Sequence, residues 1–259
     1  MKSLLIEQKG KGVILATLNR PDQANALSLQ LLRELNDFLS SIENATNVRV
    51  VIFTGASDRV FCAGADLKER NEMDEKEVRF AVQKIRMTIN RVAALKIPTI
   101  AAMNGSALGG GLELALACDL RIGCSTADYG LPETSLAIIP GAGGTQRLSR
   151  LIGTGKAKEM IYTASRISGT EAKEVKLVEH VETQDGVLKK AFELADLIAN
   201  NGPIAIRQAK YAIDLGLEVD MQTALTIERN AYEKIISTRD RQEGLLAFHE
   251  KRKPTYKGE

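Results

Sequence analysis

The first 140 residues switch between two hydrophobic periods. Residues 3–9 and 13–19 are strand-like runs bounded by turn formers, and Gly10-Lys11-Gly12 between them predicts a hairpin. From Ser28 the apolar positions recur at three- and four-residue steps. Leu31, Leu32, Leu35, Phe38, Leu39 and Ile42 form one stripe, which predicts an amphipathic helix. A buried strand is expected over 49–54, a long amphipathic helix over 74–95, and a strand over 98–103 that ends at Asn104-Gly105. The order β-β-α-β-α-β implies an α/β architecture.

After Pro140 the pattern turns almost wholly helical, with stops at Gly153, Gly155, Gly169, Gly202 and Gly216. Strand signal there is confined to 177–181. Helices are expected near 185–200, 203–215, 221–236 and 239–250, each with an apolar stripe that must bury against something. No fixed-period repeat and no Pro/Gly/Ser-rich linker interrupts the chain. The expected division is a core over 1–195 and a helical region over 196–259 that completes the core or packs on another subunit.

Composition removes whole classes of function. The 259 residues are 44% hydrophobic and carry a formal charge of +2, so no global field favours nucleic acid or an acidic membrane. Apolar runs such as 115–118 and 136–140 fall far short of the roughly 20 residues that span a bilayer, so no membrane partner is expected. The opening MKSLLIEQKGKG has an apolar patch broken by Glu7, too short for a signal peptide, and a cytoplasmic location is expected. Cys62, Cys118 and Cys124 lack CxxC spacing, which predicts buried, inert thiols rather than a disulfide framework or zinc cage. His180 and His249 are the only histidines, and neither HExxH nor GxSxG occurs. Metal sites and Ser-His-Asp triads are therefore not expected.

The chemistry concentrates in glycine-bearing loops and two glutamates. A strand runs into Asn104-Gly105, and Gly109-Gly110-Gly111 then open a helical run. Bare backbone there lets an oxygen atom approach the free N–H groups and the positive end of the helix dipole, although close helix-to-strand packing would need the same glycines. GKS, GKT and GxGxxG are all absent, so a carbonyl oxygen becoming an oxyanion is a better guest than a pyrophosphate. Glu113 follows inside a run apolar on all sides. Its carboxylate would suit the helix dipole, but a buried acid also marks a reactive site. Glu133 lies at the end of a short strand in Tyr129-Gly-Leu-Pro-Glu-Thr, where a loop charge or an N-cap partner is the plainer role. Two carboxylates sharing a pocket would repel, raise one pKa, and supply an acid and a base. The loop from Gly55 to Lys68 has small residues at 63–65 that leave room for a bound group, as would an ordinary strand-to-helix turn.

AGADLK, ALGGGLELALACD and GLPETSLAIIPGAGGTQRL, in this order, resemble the crotonase or enoyl-CoA hydratase/isomerase superfamily over nearly the whole chain. DLKER at 66–70 and the ending RQEGLLAFHEKRKPTYKGE look most similar to its methylglutaconyl-CoA hydratases of leucine breakdown. The resemblance implies a spiral of ββα units with a helical C-terminal trimerisation region, and a hexamer built as a dimer of trimers. It implies an oxyanion hole from the N–H groups of Ala65 and Gly110, with Glu113 activating water for C3 of a 2-enoyl-CoA and Glu133 delivering a proton to C2. Isomerases of the superfamily lack the first acid, so two glutamates favour hydration, with double-bond isomerisation the alternative. The acyl-CoA thioester is expected to lie along Ala24, Ala63, Gly64, Asp66, Leu67, Lys68 and Gly109. Lys253, Lys251 or Arg252 of a last helix would meet the CoA phosphates, and no separate cofactor is implied. One departure stands out: many relatives have Lys where this chain has Asp22, so that phosphate contact is lost or falls to Arg20. An animal relative binds AU-rich RNA, but the matching helix here sets Arg33 against Glu34, Asp37 and Glu43, a face that repels phosphates.

Overall fold

The computed structural model describes residues 2–259. It opens with the expected hairpin, β1 (Leu4–Lys9) antiparallel to β2 (Val13–Leu18), with Lys9 opposite Val13. Lys11 and Gly12 turn the chain at φ 55° and 76°, the left-handed pair that suits strand twist. Helix α1 (Leu29–Ile42) starts at Ser28, whose side chain accepts the Leu31 N–H, and it buries all six residues of the predicted stripe. Each such side chain contributes roughly 1.5–3 kcal/mol on leaving water.

Three turns of a spiral follow. The first has β3 (Val50–Gly55), β4 (Val60–Cys62), α2 (Leu67–Asn71) and α3 (Glu75–Ala93). The second has β5 (Thr99–Met103), β6 (Ser106–Leu108) and α4 (Gly110–Leu116). The third has β7 (Leu120–Cys124), β8 (Asp128–Gly130), a 3-10 turn (Pro132–Leu136), α5 (Gly144–Ile152) and α6 (Thr154–Tyr162). In each turn the first strand joins a large sheet and the second a small one, so this is the expected spiral of ββα units. The small sheet gains β9 (Arg166–Ser168), antiparallel to β8; α7 (Gly169–Glu174) then leads to β10 (His180–Glu182) at the far edge of the large sheet. The large sheet runs β1-β2-β3-β5-β7-β10, parallel apart from the opening hairpin, and the small sheet runs β4-β6-β8-β9.

Two features differ from the sequence reading. Strands of the small sheet are three residues long, too short to show a period of two, and apart from the short strand expected at Tyr129, which is β8, they are absent from it. The strand expected over 177–181 begins only at His180. The N–H groups of Leu177 and Val178 instead both donate to the Ala172 carbonyl and close α7, while their side chains plug the core.

Asn104 fastens the corner that precedes the glycine run. Its amide accepts the Gly55 N–H at 3.0 Å and donates to the Gly55 carbonyl at 2.9 Å, clasping the ends of β3 and β5. Helix α8 (Gly186–Ala199) packs across β3, β5 and β7 and spans residues 195 and 196. Beyond it α9 (Pro203–Gly216) and α10 (Met221–Ile236) pack on each other, and α11 (Arg239–His249) follows. Polar ties hold this arm to the core: Lys210 pairs with Asp119 at 2.6 Å, and Arg207 donates to the Ala45 and Val48 carbonyls. Its apolar side chains stay largely uncovered, with Ile213, Leu217, Leu225, Tyr232 and Phe248 all exposed. Among the described residues no helix is long and apolar enough to cross a membrane. All three cysteines are free and buried, and burial pushes the Cys62 and Cys118 thiols up to about 12.

Candidate active site

The two glycine-bearing loops meet. Gly64 has φ 93°, and a Cβ there would stand 2.9 Å from the Gly110 nitrogen; one on Gly110 would stand 3.6 Å from the Ala65 nitrogen. A Cβ on Gly111 would lie 2.0 Å from the Cys62 carbonyl oxygen, so only glycine fits. Here both roles considered for the triple glycine operate together. Gly111 serves close packing, while Gly109 and Gly110 bare the backbone. The N–H groups of Ala65 and Gly110 find no acceptor among the described residues, so two free donors stand side by side at the positive end of α4.

Every residue of α4 is buried, including Glu113. Its Oε1 accepts the Ala142 N–H at 2.7 Å and the Gly144 N–H at 2.8 Å, at the start of α5. Burial raises the pKa of this carboxyl, opposed by those two N–H groups and by the positive charges of Arg147 and Arg86. Glu133 sits in the 3-10 turn rather than at a strand end. It is neither a loop charge nor an N-cap partner: its Oε2 is buried with no hydrogen-bond partner. Burial pushes its pKa up to about 7, its own backbone N–H lowers it, and the charge of Glu113 raises it again. An unsatisfied buried oxygen costs about 1–3 kcal/mol, and among the described residues Gln208 Oε1 is the other such side-chain atom.

Both glutamates line one cleft of about 460 Å³. Ala63, Gly64, Ala65, Leu67, Gly109 and Gly110 line it too, together with Val78, Val82 and Ile85 of α3 and the Leu136, Ile138 and Ile139 side chains. These last three are exposed, so residues 136–139 form an apolar rim, while Pro140 is buried. Arg70 and Arg166 are the cations on its wall, and neither side chain makes a hydrogen bond or ion pair among the described residues. Sequence reasoning gives Arg166 no role, because its strand is too short to be seen.

The remaining expected contacts lie outside the cleft wall. Asp66 caps α2, accepting the Lys68 and Glu69 N–H groups, and it pairs with Arg20 at 2.9 Å. Burial raises its pKa, but the bonds from Arg20 and those N–H groups outweigh it and bring the carboxyl below its usual range. Arg20 also donates to the Ala26 carbonyl, so the cation weighed as a substitute for the lost phosphate contact at Asp22 is committed to the fold. Ala24 supports the wall indirectly, its carbonyl accepting the Ala63 N–H at 3.0 Å. Lys68 is exposed beside the wall, and Lys253 lies in the tail after α11. Arg252 is locked between Glu243 and Glu250 at 2.6 Å from each. Among the described residues no cluster of His, Cys, Asp or Glu has the arrangement of a metal site.

The partners of Glu113 were also hidden in the sequence. Gly141-Ala-Gly143-Gly144 opens a helix just as Gly109–Gly111 does, and that repeated signal points to a second set of bare N–H groups. A carboxylate from one glycine-opened helix is thus seated on the start of another, beside two free N–H donors and a second, partnerless carboxylate. Such a cleft can polarise a carbonyl while moving protons on either side of it.

Residues 8–259 match the family described as enoyl-CoA hydratase/isomerase. The Bacillus subtilis (strain 168) protein YngF is 58% identical over 256 residues, covering 99% of this chain and 98% of that protein. The mitochondrial methylglutaconyl-CoA hydratase of Mus musculus is 51% identical over 258 residues, covering 98% of this chain and 82% of that protein. A crystal structure of enoyl-CoA hydratase from Bacillus anthracis is 57% identical, covers 99% of this chain and 100% of its own, and superposes with a TM-score of 0.98. With its spiral fold and its two glutamates around a glycine corner, this chain belongs to the enoyl-CoA hydratase/isomerase family.

Proposed function

We propose that this chain catalyses the reversible syn addition of water across the 2,3 double bond of a 2-enoyl-CoA. The observation that carries the reading is the pair of unlike carboxylates in one cleft: Glu113 anchored by two N–H groups, Glu133 left with a partnerless oxygen. The thioester oxygen sits between the Ala65 and Gly110 N–H groups. Glu113 accepts a proton from water as its oxygen bonds to C3, the C2–C3 π electrons move toward the thioester oxygen, and Glu133 gives a proton to C2. The two carboxyl groups finish with exchanged protonation and reset through solvent. Each oxyanion donor is worth about 3–4 kcal/mol of barrier, and positioned acid and base add on the order of 10²- to 10⁴-fold.

The acyl group is a short or branched chain, with 3-methylglutaconyl-CoA the specific candidate. Two findings support that candidate: the 51% identity to the mouse methylglutaconyl-CoA hydratase, and the unpaired Arg70 and Arg166, the cations among the residues that line the cleft, where a second carboxylate would need one. Loss of the conjugated enoyl-thioester absorbance, compared for crotonyl-CoA and 3-methylglutaconyl-CoA, tests this. A kcat/KM at least about tenfold higher for the diacid supports it, and the opposite preference makes the chain a general short-chain hydratase. The uncovered apolar side chains of α9–α11 support assembly with other copies, as a hexamer of two trimers. A sedimentation mass near one subunit would refute that assembly.

A further inference from the structure

Arg86 and Arg147 take no part in the chemistry above, yet both grip the loop that grips Glu113. Nε of Arg86, on α3, donates to the Gly141 carbonyl oxygen at 2.8 Å. That oxygen belongs to the same peptide unit as the Ala142 N–H, which donates to Glu113 Oε1 at 2.7 Å. A cation bonded to the oxygen of a conjugated planar amide polarises the N–H at its other end, so the guanidinium acts on the carboxylate through one peptide.

Arg147 fastens the loop from its other side. Its Nη1 donates to the Ala142 carbonyl at 3.0 Å and its Nη2 to Asn90 Oδ1 on α3 at 2.9 Å. A Cβ on Gly143 would stand 2.2 Å from that Nη1, so the glycine makes room for the guanidinium. Among the described residues these are the only side-chain hydrogen bonds of the two arginines, and neither lines the cleft. The charged groups that face Glu113 are Arg86 from α3, Arg147 from α5 and Glu133 from the 3-10 turn. The two cations favour its charged form and Glu133 disfavours it.

We infer that Arg86 and Arg147 are positioning residues for Glu113: they fix the 141–144 loop so that two N–H groups hold one carboxylate oxygen and leave the other to the reacting water. The catalytic consequence rests on Glu113 acting on water, while the geometric claim does not. Exposed Arg86 can be replaced without opening a cavity, which makes it the cleaner site to change.

The test uses the full chain with Arg86→Met, Arg147→Met and Arg86→Lys, and reads two quantities. The first is the Glu113 titration, followed by the infrared band of its protonated carboxyl and assigned by the loss of that band in Glu113→Gln. Its midpoint moves to higher pH in both Met variants and returns part of the way in Arg86→Lys. The second is hydration of crotonyl-CoA, where kcat falls on the order of 10- to 100-fold with KM little changed, and the acid limb of the rate profile moves up with the titration. A Glu113 midpoint unchanged in both Met variants overturns the inference, as does a lowered unfolding temperature with an unshifted pH profile. If Glu113→Gln hydrates as fast as the parent, the role of Glu113 in the reaction falls, and the infrared midpoint still decides the role of the arginines.

Discussion

Glu133 leans over Gly109: its Oε1 lies 2.9 Å from where a Cβ on that glycine would stand. The carboxylate therefore rests against the residue that opens α4, one position before the free N–H of Gly110. Replacing either acid by its amide keeps the size of the side chain and removes the proton transfer. Glu113→Gln and Glu133→Gln should each retain the fold and binding of a CoA ester while losing about 10²- to 10⁴-fold in kcat. Circular dichroism, ligand titration and initial rates check this, and near-normal turnover in either variant removes that residue from the mechanism.

The pH dependence follows from Glu133, which burial and the neighbouring Glu113 charge raise to about 7 despite its own backbone N–H. Hydration needs it protonated, so kcat/KM falls as pH rises through about 7. Dehydration of the 3-hydroxyacyl-CoA uses the same one-proton pair with the proton on Glu113, and the overall reaction takes up no proton, so the reverse kcat/KM should fall over the same range. Stability carries the same sign: the contribution of this raised pKa is full below the ordinary value of 4.5 and is lost as pH rises through about 7. Glu133→Gln should therefore gain in Tm over the parent above pH 7 and gain nothing below 4.5, a comparison that a melting series reads directly.

Gly111 and Gly155 should respond oppositely to alanine. A Cβ on Gly111 would stand 2.0 Å from the Cys62 carbonyl, whereas one on Gly155, in the first turn of α6, meets nothing within 4 Å. Gly111→Ala should unfold at markedly lower temperature or fail to accumulate as soluble protein. Gly155→Ala should be neutral or stabilising by about 0.4–1 kcal/mol. Equal melting temperatures for the two variants would mean that the β4–α4 contact is looser than described.

How much of this was legible in the sequence depends on element length. The stripe from Leu31 to Ile42, the hairpin at Gly10–Gly12 and the fully buried α4 each span enough residues for a period or a boundary to show, and all three stand where expected. The four strands of the small sheet are three residues long and carry no period, yet they hold Gly64, Gly109 and Glu133 in their places. The two glutamates could be named from their apolar surroundings and from the family resemblance. That one is anchored and the other lacks a partner could not, because the donors to Glu113 lie 29 and 31 residues away in the chain. Asp66 has a structural role that the loop pattern did not reveal, as the cap of α2 paired with Arg20.

Arg70 offers a test of acyl preference within the same cleft. If it meets a second substrate carboxylate, Arg70→Gln should lower kcat/KM for 3-methylglutaconyl-CoA by about tenfold or more and leave crotonyl-CoA within about twofold. Parallel losses on both substrates would place the contact on the CoA portion that they share.

The central claim is that water adds at C3, and the source of oxygen in the product tests it most directly. Crotonyl-CoA is turned over in heavy-oxygen water and the product mass is read, with Glu113→Gln alongside. The account predicts a 3-hydroxyacyl-CoA that carries one solvent oxygen, formed by the parent and nearly absent from the variant. Turnover that shifts the double bond of an enoyl-CoA with no gain of oxygen from water would contradict it and make the chain an isomerase.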